Sequence, residues 1–151
     1  MQVTSWILKE QKKDKAMQNT ATARPRLAIM AAVVAVLFGG LTLYSGGSVL
    51  FIDGPARVAA GNYVPAVLWF NFLAGFVYIL TGIGLFLWRG WAVVLAMVVA
   101  VTTLIVFTGF GLHILSGGDF ELRTVKAMAL RSSVWIMIAF AVRAAWKRTL
   151  S

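Results

Sequence analysis

The chain has 151 residues, 60% of them hydrophobic and only 13% charged, with a mean hydropathy of +0.85. A soluble domain is about 45–50% apolar and about 25% charged, so an ordinary soluble globular fold is excluded. With no cysteine, the chain offers no disulfide, thiolate metal site or thiol–disulfide relay. Of the net charge of +9, the leading tail contributes +4, from six lysines and arginines against Glu10 and Asp14. Its lysines are not interleaved with aromatics as in a nucleic-acid site, so no nucleic-acid partner is expected.

Residues 1–26 form that tail. The stretch 3–16 sets Trp6, Ile7 and Leu8 beside a lysine cluster, and reads equally as a short surface helix drawn to anionic lipid or as a solvated tail. The tail resembles the basic region of a signal peptide, but no small-x-small cleavage site follows the first apolar run, so an uncleaved helix is expected.

From residue 27 to 146 the ionisable residues mark out a transmembrane domain. Nothing ionisable interrupts 27–52, nothing but His113 interrupts 90–118, and 58–88 is equally clear. Each tract exceeds the roughly 20 residues that cross hydrocarbon as a helix. The fourth apolar tract, between Arg131 and Arg143, is shorter and must extend into its flanks, with both arginines snorkelling to the two faces. Crossings are therefore predicted at 27–51, 64–88, 92–115 and 127–146, followed by a basic tail at 147–151. The apolar runs are continuous and do not alternate with polar residues, which predicts helices and not barrel strands. The fold expected is all-α: an integral membrane four-helix bundle.

In the first crossing, Gly39, Gly40, Gly46 and Gly47 are candidate packing positions, as are Gly75 and Gly82, with Gly84, in the second. Small residues let membrane helices approach closely, within one protomer or across a homo-oligomer. Asp53-Gly54-Pro55 predicts a turn and then a short interfacial helix through Ala60; Gly61-Asn62-Tyr63-Val64-Pro65 opens the second crossing. Arg89-Gly90 is so short a connection that the second and third helices must be antiparallel neighbours. Gly40–Gly47 and Gly111–Gly118 agree at five of eight positions, and each contains a Ser-Gly-Gly that reads as a helix end. Asp119 is then expected as the N-cap of the fourth helix, with Glu121 in its first turn.

Of the 14 lysines and arginines, ten (Lys9, Lys12, Lys13, Lys15, Arg24, Arg26, Arg89, Arg143, Lys147 and Arg148) fall on one side of the membrane. Four (Arg57, Arg123, Lys126 and Arg131) fall on the other. This places both termini in the cytoplasm if the membrane is a bacterial inner (plasma) membrane. Trp88, Trp91 and Trp146 fit an aromatic belt on the cytoplasmic side, with Tyr63 and Trp69 on the other.

Polar groups inside a membrane are costly, and those expected at similar depth in the outer half are Tyr44 with Ser45, Asn71, His113, and Arg131 with Ser132 and Ser133. A site of Asn71, His113 and Arg131, walled by Tyr44, would take a carboxylate, a quinone headgroup or another small polar ligand. The alternative is that these groups bond one another, with Arg131 pairing to Glu121 or Asp119 or reaching lipid phosphate.

Metal and haem sites are not expected, because His113 is the sole histidine and the methionines are scattered in depth. All five acids (Glu10, Asp14, Asp53, Asp119 and Glu121) map to tails or loops, which disfavours proton-coupled transport through a buried carboxylate. No catalytic set is visible, and no cofactor is called for. The leading expectation is a non-enzymatic accessory or assembly subunit, with the lipid bilayer and a further membrane protein or second copy as partners. A small-ligand or ion carrier and a lipid- or quinone-linked enzyme component are the alternatives.

The stretches 61–75, 112–118 and 123–132 together resemble the small four-helix inner-membrane proteins of bacteria. The resemblance spans 27–146 and implies a bacterial setting and four helices; it implies no catalytic residues.

Overall fold

The computed structural model describes residues 6–12, 25–52, 54–61 and 63–150, and among these all regular structure is helical. Residues 6–12 form a short helix, α1, with Trp6, Ile7 and Leu8 exposed. Five helices follow: α2 (Arg26–Phe51), α3 (Pro55–Ala60), α4 (Pro65–Phe86), α5 (Gly90–Leu115) and α6 (Leu122–Leu150). Lys13, Asp14, Lys15, Arg24, Asp53 and Asn62, with the remainder of the stretch expected as a surface helix, lie outside the described residues.

α2, α4, α5 and α6 are each long and apolar enough to cross a membrane. Prolines open the flanking helices: Pro55 and Pro65 occupy first-turn positions, where a missing N–H leaves no hydrogen bond unmade. The four long helices run up and down, each packed on its chain neighbours in a ring. The contact of α2 with α4 is the most extensive, α5 with α6 comes next, and α2 with α6 is the thinnest. One end of the bundle, here the basic end, gathers the α2 start, the α4–α5 turn and the α6 finish. The other is the α3 end.

The α2–α4 seam is built from missing side chains. A Cβ on Gly39 would stand 2.9 Å from the Gly75 carbonyl oxygen and 2.8 Å from Ile79 Cγ1, and one on Gly82 would stand 2.9 Å from the Ala32 carbonyl oxygen. Ala32, Gly39 and Gly46 are spaced by seven, as are Gly75 and Gly82. That spacing keeps one face of a helix against a partner crossing at a small angle. Gly46 and Gly47 both receive the Phe72 side chain. Gly40 does not pack: a Cβ there would meet nothing within 4 Å. It lies one residue, and so about 100° of helical rotation, away from the seam.

The two Ser-Gly-Gly segments behave differently. At the end of α5 the segment terminates the helix as expected, with Gly117 at φ +82° and hydrogen bonds Gly118 N–H to His113 O and Gly117 N–H to Ile114 O. These are the two bonds of a Schellman end. Ser45-Gly46-Gly47 instead continues as helix to Phe51. There the glycines accommodate Phe72, so packing across the seam overrides the local tendency to stop. Asp119 does not cap α6, because the chain stays extended through Phe120 and the helix begins at Leu122. The Glu121 carbonyl accepts the first bonds, from Thr124 and Val125 N–H. At the far end of α4, Trp88 takes the same left-handed position (φ +51°) that glycine holds in Gly117. Its ring lies edge-on to Trp146, with centroids 5.3 Å apart.

The core is uneven along the bundle. A large cluster containing Ala35, Tyr78, Leu85, Ala96, Trp135 and Val142 fills the middle and the basic end. The α3 end has only Val67, Phe110 and Met128 as a second buried cluster. Trp135 is fully buried against the Tyr78 ring, centroids 4.6 Å apart.

The seam makes a paired prediction. Gly39→Ala drives a methyl into backbone and is expected to destabilise the purified protein by about 1–3 kcal/mol, the usual cost of overpacking. Gly40→Ala meets open space and is expected to leave stability unchanged or raise it by up to about 1 kcal/mol through helix propensity. Thermal denaturation of both variants in one detergent checks the contrast.

Candidate functional site: a cationic cleft at the α3 end

At the α3 end, where the core thins, a cleft of about 360 Å³ opens between α2 and α6. Its walls come from four elements. α2 supplies Thr42, Tyr44, Ser45 and Ser48; α3 supplies Ala56 and Ala59; α4 supplies Val67, Leu68 and Asn71; α6 supplies Arg123, Thr124, Ala127 and Arg131. No α5 residue lines it.

α3 is held over the cleft by two arginines. Arg57 donates from Nε to the Val49 carbonyl (3.0 Å) and from Nη2 to the Leu50 carbonyl (2.8 Å). It thus satisfies the exposed C-terminal carbonyls of α2, where a cation also suits the helix dipole. Arg123 donates from Nη1 to the Ala59 carbonyl at 3.3 Å, joining α6 to α3. At the end of α3, Gly61 adopts φ +58° and packs directly against the Glu121 carboxylate, a position with no room for a side chain.

Arg131 dominates the electrostatics. It lies nine residues into α6, about 13 Å below the helix start, and is only 8% exposed. Its Nη1 reaches the Met128 sulfur at 3.5 Å, a poor acceptor, and its Nε is buried without a partner. No carboxylate among the described residues pairs with it, so the expected pairing to Glu121 or Asp119 is not made. On α4, the Asn71 Oδ1 is likewise buried and unpartnered. Below lie further buried polar atoms without regular hydrogen bonds: Tyr78 OH, Thr103 Oγ1, Ser132 Oγ and Trp135 Nε1. Tyr78 sits beside Thr103 and within electrostatic reach of Arg131. Other membrane hydroxyls are satisfied within their own helices, as Thr81 is by the Val77 carbonyl (2.7 Å) and Ser133 by that of Ala129 (2.9 Å). The orphans therefore extend over about two turns of α4, from Asn71 to Tyr78, and about one turn of α6, from Arg131 to Trp135.

Of the four residues expected to form a site, Tyr44, Asn71 and Arg131 line this one cleft, and Tyr44 stands at its rim, 78% exposed. His113 stands apart. It lies two residues from the end of α5, exposed, with its Nε2 3.2 Å from the Asp119 carbonyl and its ring over Gly118. Depth explains the separation: His113 is about 3 Å from its helix end, whereas Arg131 is about 13 Å from its own. Ser45, expected beside Tyr44 at this depth, lines the cleft, and Thr42, Ser48 and Thr124 join it unexpectedly. Thr42, Ser45 and Val49 recur at helical spacing, as do Thr124, Ala127 and Arg131, and that periodicity was their signal. Among the described residues no three histidine, aspartate or glutamate side chains converge as a metal site would require.

Chemically, the cleft presents two guanidinium groups, hydroxyls and an amide, with no acid among the described residues that line it. Such a set binds and orients an anion. Comparison with known proteins returns no match: no family model, no curated protein and no solved structure is similar to the chain. Function is therefore read from the chain's own residues.

An uncompensated buried cation destabilises a fold unless something neutralises it, and an apolar replacement of similar volume relieves that cost. Arg131→Met is accordingly expected to raise the thermal stability of the anion-free protein, by about 1–4 kcal/mol on the scale of such replacements. A fall in stability would show that Arg131 is already neutralised.

Proposed function

We propose that the chain is a multi-pass integral membrane protein that binds a small anionic ligand in the Arg131 cleft, as a carrier or as the ligand-holding subunit of a larger assembly. The observation that carries this reading is Arg131 itself, 8% exposed and lacking any acidic partner among the described residues, in the wall of a headgroup-sized cleft. Proteins keep ionisable groups at such depth at a cost, and they mark ligand and ion paths by default. Asn71, Tyr44 and Thr124 supply the neutral hydrogen-bonding partners.

The ten-to-four distribution of basic residues supports an orientation with both termini in the cytoplasm and the cleft facing the outer leaflet of a bacterial inner membrane. In that frame α3 is interfacial. The native chain has no cysteine, so single cysteines report topology cleanly. In intact cells a membrane-impermeant maleimide is expected to label Ala59→Cys on α3, and to label Thr149→Cys on α6 only after permeabilisation. The reverse pattern would invert the orientation.

A second reading, the accessory or assembly subunit, is favoured by the outward glycines. Gly40, Gly109 and Gly111 have nothing within 4 Å of where a Cβ would stand. On α5, Val101, Ile105, Gly109 and Leu112 border a shallow apolar groove that a further helix would fit.

Ligand-dependent stability tests the main reading. Inorganic phosphate and glycerol phosphate, titrated into detergent-solubilised protein at fixed ionic strength, are expected to raise its melting temperature. The stabilisation at 100 times Kd is about 2.7 kcal/mol. Arg131→Met abolishes the rise, and Arg143→Met, an exposed arginine at the basic end, preserves it. Equal responses from all three proteins would sink the reading.

A further inference from the structure

We infer that the anion held at Arg131 is the phosphate of an anionic membrane lipid, which enters sideways through the slot between α2 and α6 and leaves its acyl chains outside the bundle. This rests on the anion-binding reading above and adds the class and route of the ligand.

The slot lies where the helix ring is least closed. α2 is drawn onto α4 by the glycine seam and α6 packs on α5, leaving the α2–α6 contact the thinnest of the four. The cleft is bordered by these two helices, with α3 as a roof, α4 at its back and no contribution from α5. Ala127, a small residue, is exposed on the α6 side of the opening, and Tyr44 and Ser45 are exposed on the α2 side. Ala127 sits five residues into α6, about 7 Å from the helix start, and Arg131 about 13 Å from it. In a chain whose long helices cross a membrane, an opening at that depth faces lipid from the headgroup level down into the acyl region.

Size and polarity then select the occupant. About 360 Å³ accommodates a phosphate with a glycerol-sized substituent but not two acyl chains. The chains have a path outside: Leu41 is one turn below Ser45 on α2 and Leu130 one turn below Ala127 on α6. Both are lipid-accessible, at 66% and 58% exposure. Hydroxyls and guanidinium groups line the upper cleft, and Val64, Val67 and Leu68 line its back. With Arg123 and Arg131 present and no acid among the described lining residues, a headgroup of net negative charge is preferred to a zwitterionic one.

The test uses the full-length protein, stripped of lipid in detergent and equilibrated with mixed micelles containing equal phosphatidylglycerol and phosphatidylcholine. Native mass spectrometry reads the lipid retained. The wild type is expected to keep one phosphatidylglycerol, about tenfold in preference to phosphatidylcholine, equivalent to 1.4 kcal/mol. Arg131→Gln removes the preference by removing the charge. Ala127→Trp removes it while leaving Arg131 in place, by filling the slot from an exposed position that does not threaten the core. If Arg131→Gln fails to fold, Ala127→Trp decides alone. Equal retention of the two lipids by the wild type, or full retention by Ala127→Trp, overturns the inference. Stabilisation by inorganic phosphate without lipid retention overturns the lipid while leaving the anion site standing. Absence of both overturns the two together.

Discussion

The approach of Gly39 to Gly75 sets the rest of the architecture. In lipid there is no hydrophobic force between apolar helices, so close backbone contact and dense packing must hold them. α2 and α4 achieve that contact through Ala32, Gly39, Gly75 and Gly82, each opposite backbone or small side chains of the other helix. α5 and α6 form the second closely packed pair, and the short Arg89–Gly90 turn links the two pairs along α4 and α5. A ring made of two tight pairs and one covalently enforced edge has a single edge left to close, between α2 and α6. Ala31, Ala32 and Ala35 of α2 and Ala139 and Val142 of α6 share the large core cluster toward the basic end, whereas the cleft lies at the α3 end. The cleft is thus a consequence of where the glycines are.

The same uneven closure accounts for the polar orphans. Where the bundle is dense, large side chains such as Trp135 and Tyr78 fill it completely. Their polar atoms are then buried without regular hydrogen bonds. A buried water molecule bridges such groups when two to four of them converge, and Tyr78 lies beside Thr103 and within electrostatic reach of Arg131. Each unmet group costs about 1–3 kcal/mol. The neighbourhood of Arg131 therefore carries a stability deficit, and the α2–α4 seam is the most extensive contact that holds the fold against it.

Much of the fold was legible because a membrane leaves few choices. Charge-free tracts located three long helices to within a few residues, and the fourth was found by allowing Arg131 and Arg143 near its ends. α6 runs beyond its apolar tract at both ends because a helix need not stop where hydrocarbon stops; Arg123 and Lys126 lie on the same continuous helix. The seam was legible in Gly39, Gly46, Gly75 and Gly82. Gly40 was indistinguishable from them by composition alone, and only the interval of seven separates it. Identical Ser-Gly-Gly segments adopted different conformations because one meets Phe72 and the other meets a turn. No local reading of eight residues contains that information.

The site was half legible for a related reason. Depth along a helix can be counted from sequence, and it sets Tyr44, Asn71 and Arg131, which line one cleft, at a comparable depth. Rotation about the helix and the stagger between helices decide which side chains share a space, and these depend on the seam. His113 was counted to a similar level, yet it belongs to the last turn of α5, the one long helix that contributes nothing to the cleft. Arg131 shows the converse. Its two natural acidic partners are only 10 and 12 residues upstream, close enough that pairing is the default expectation. α6 is already helical from Leu122, which fixes Arg131 about 13 Å from that start, beyond the reach of Glu121 and Asp119 without unwinding. A helix begun earlier than the hydrocarbon is what strands the charge of Arg131 in the wall of the cleft.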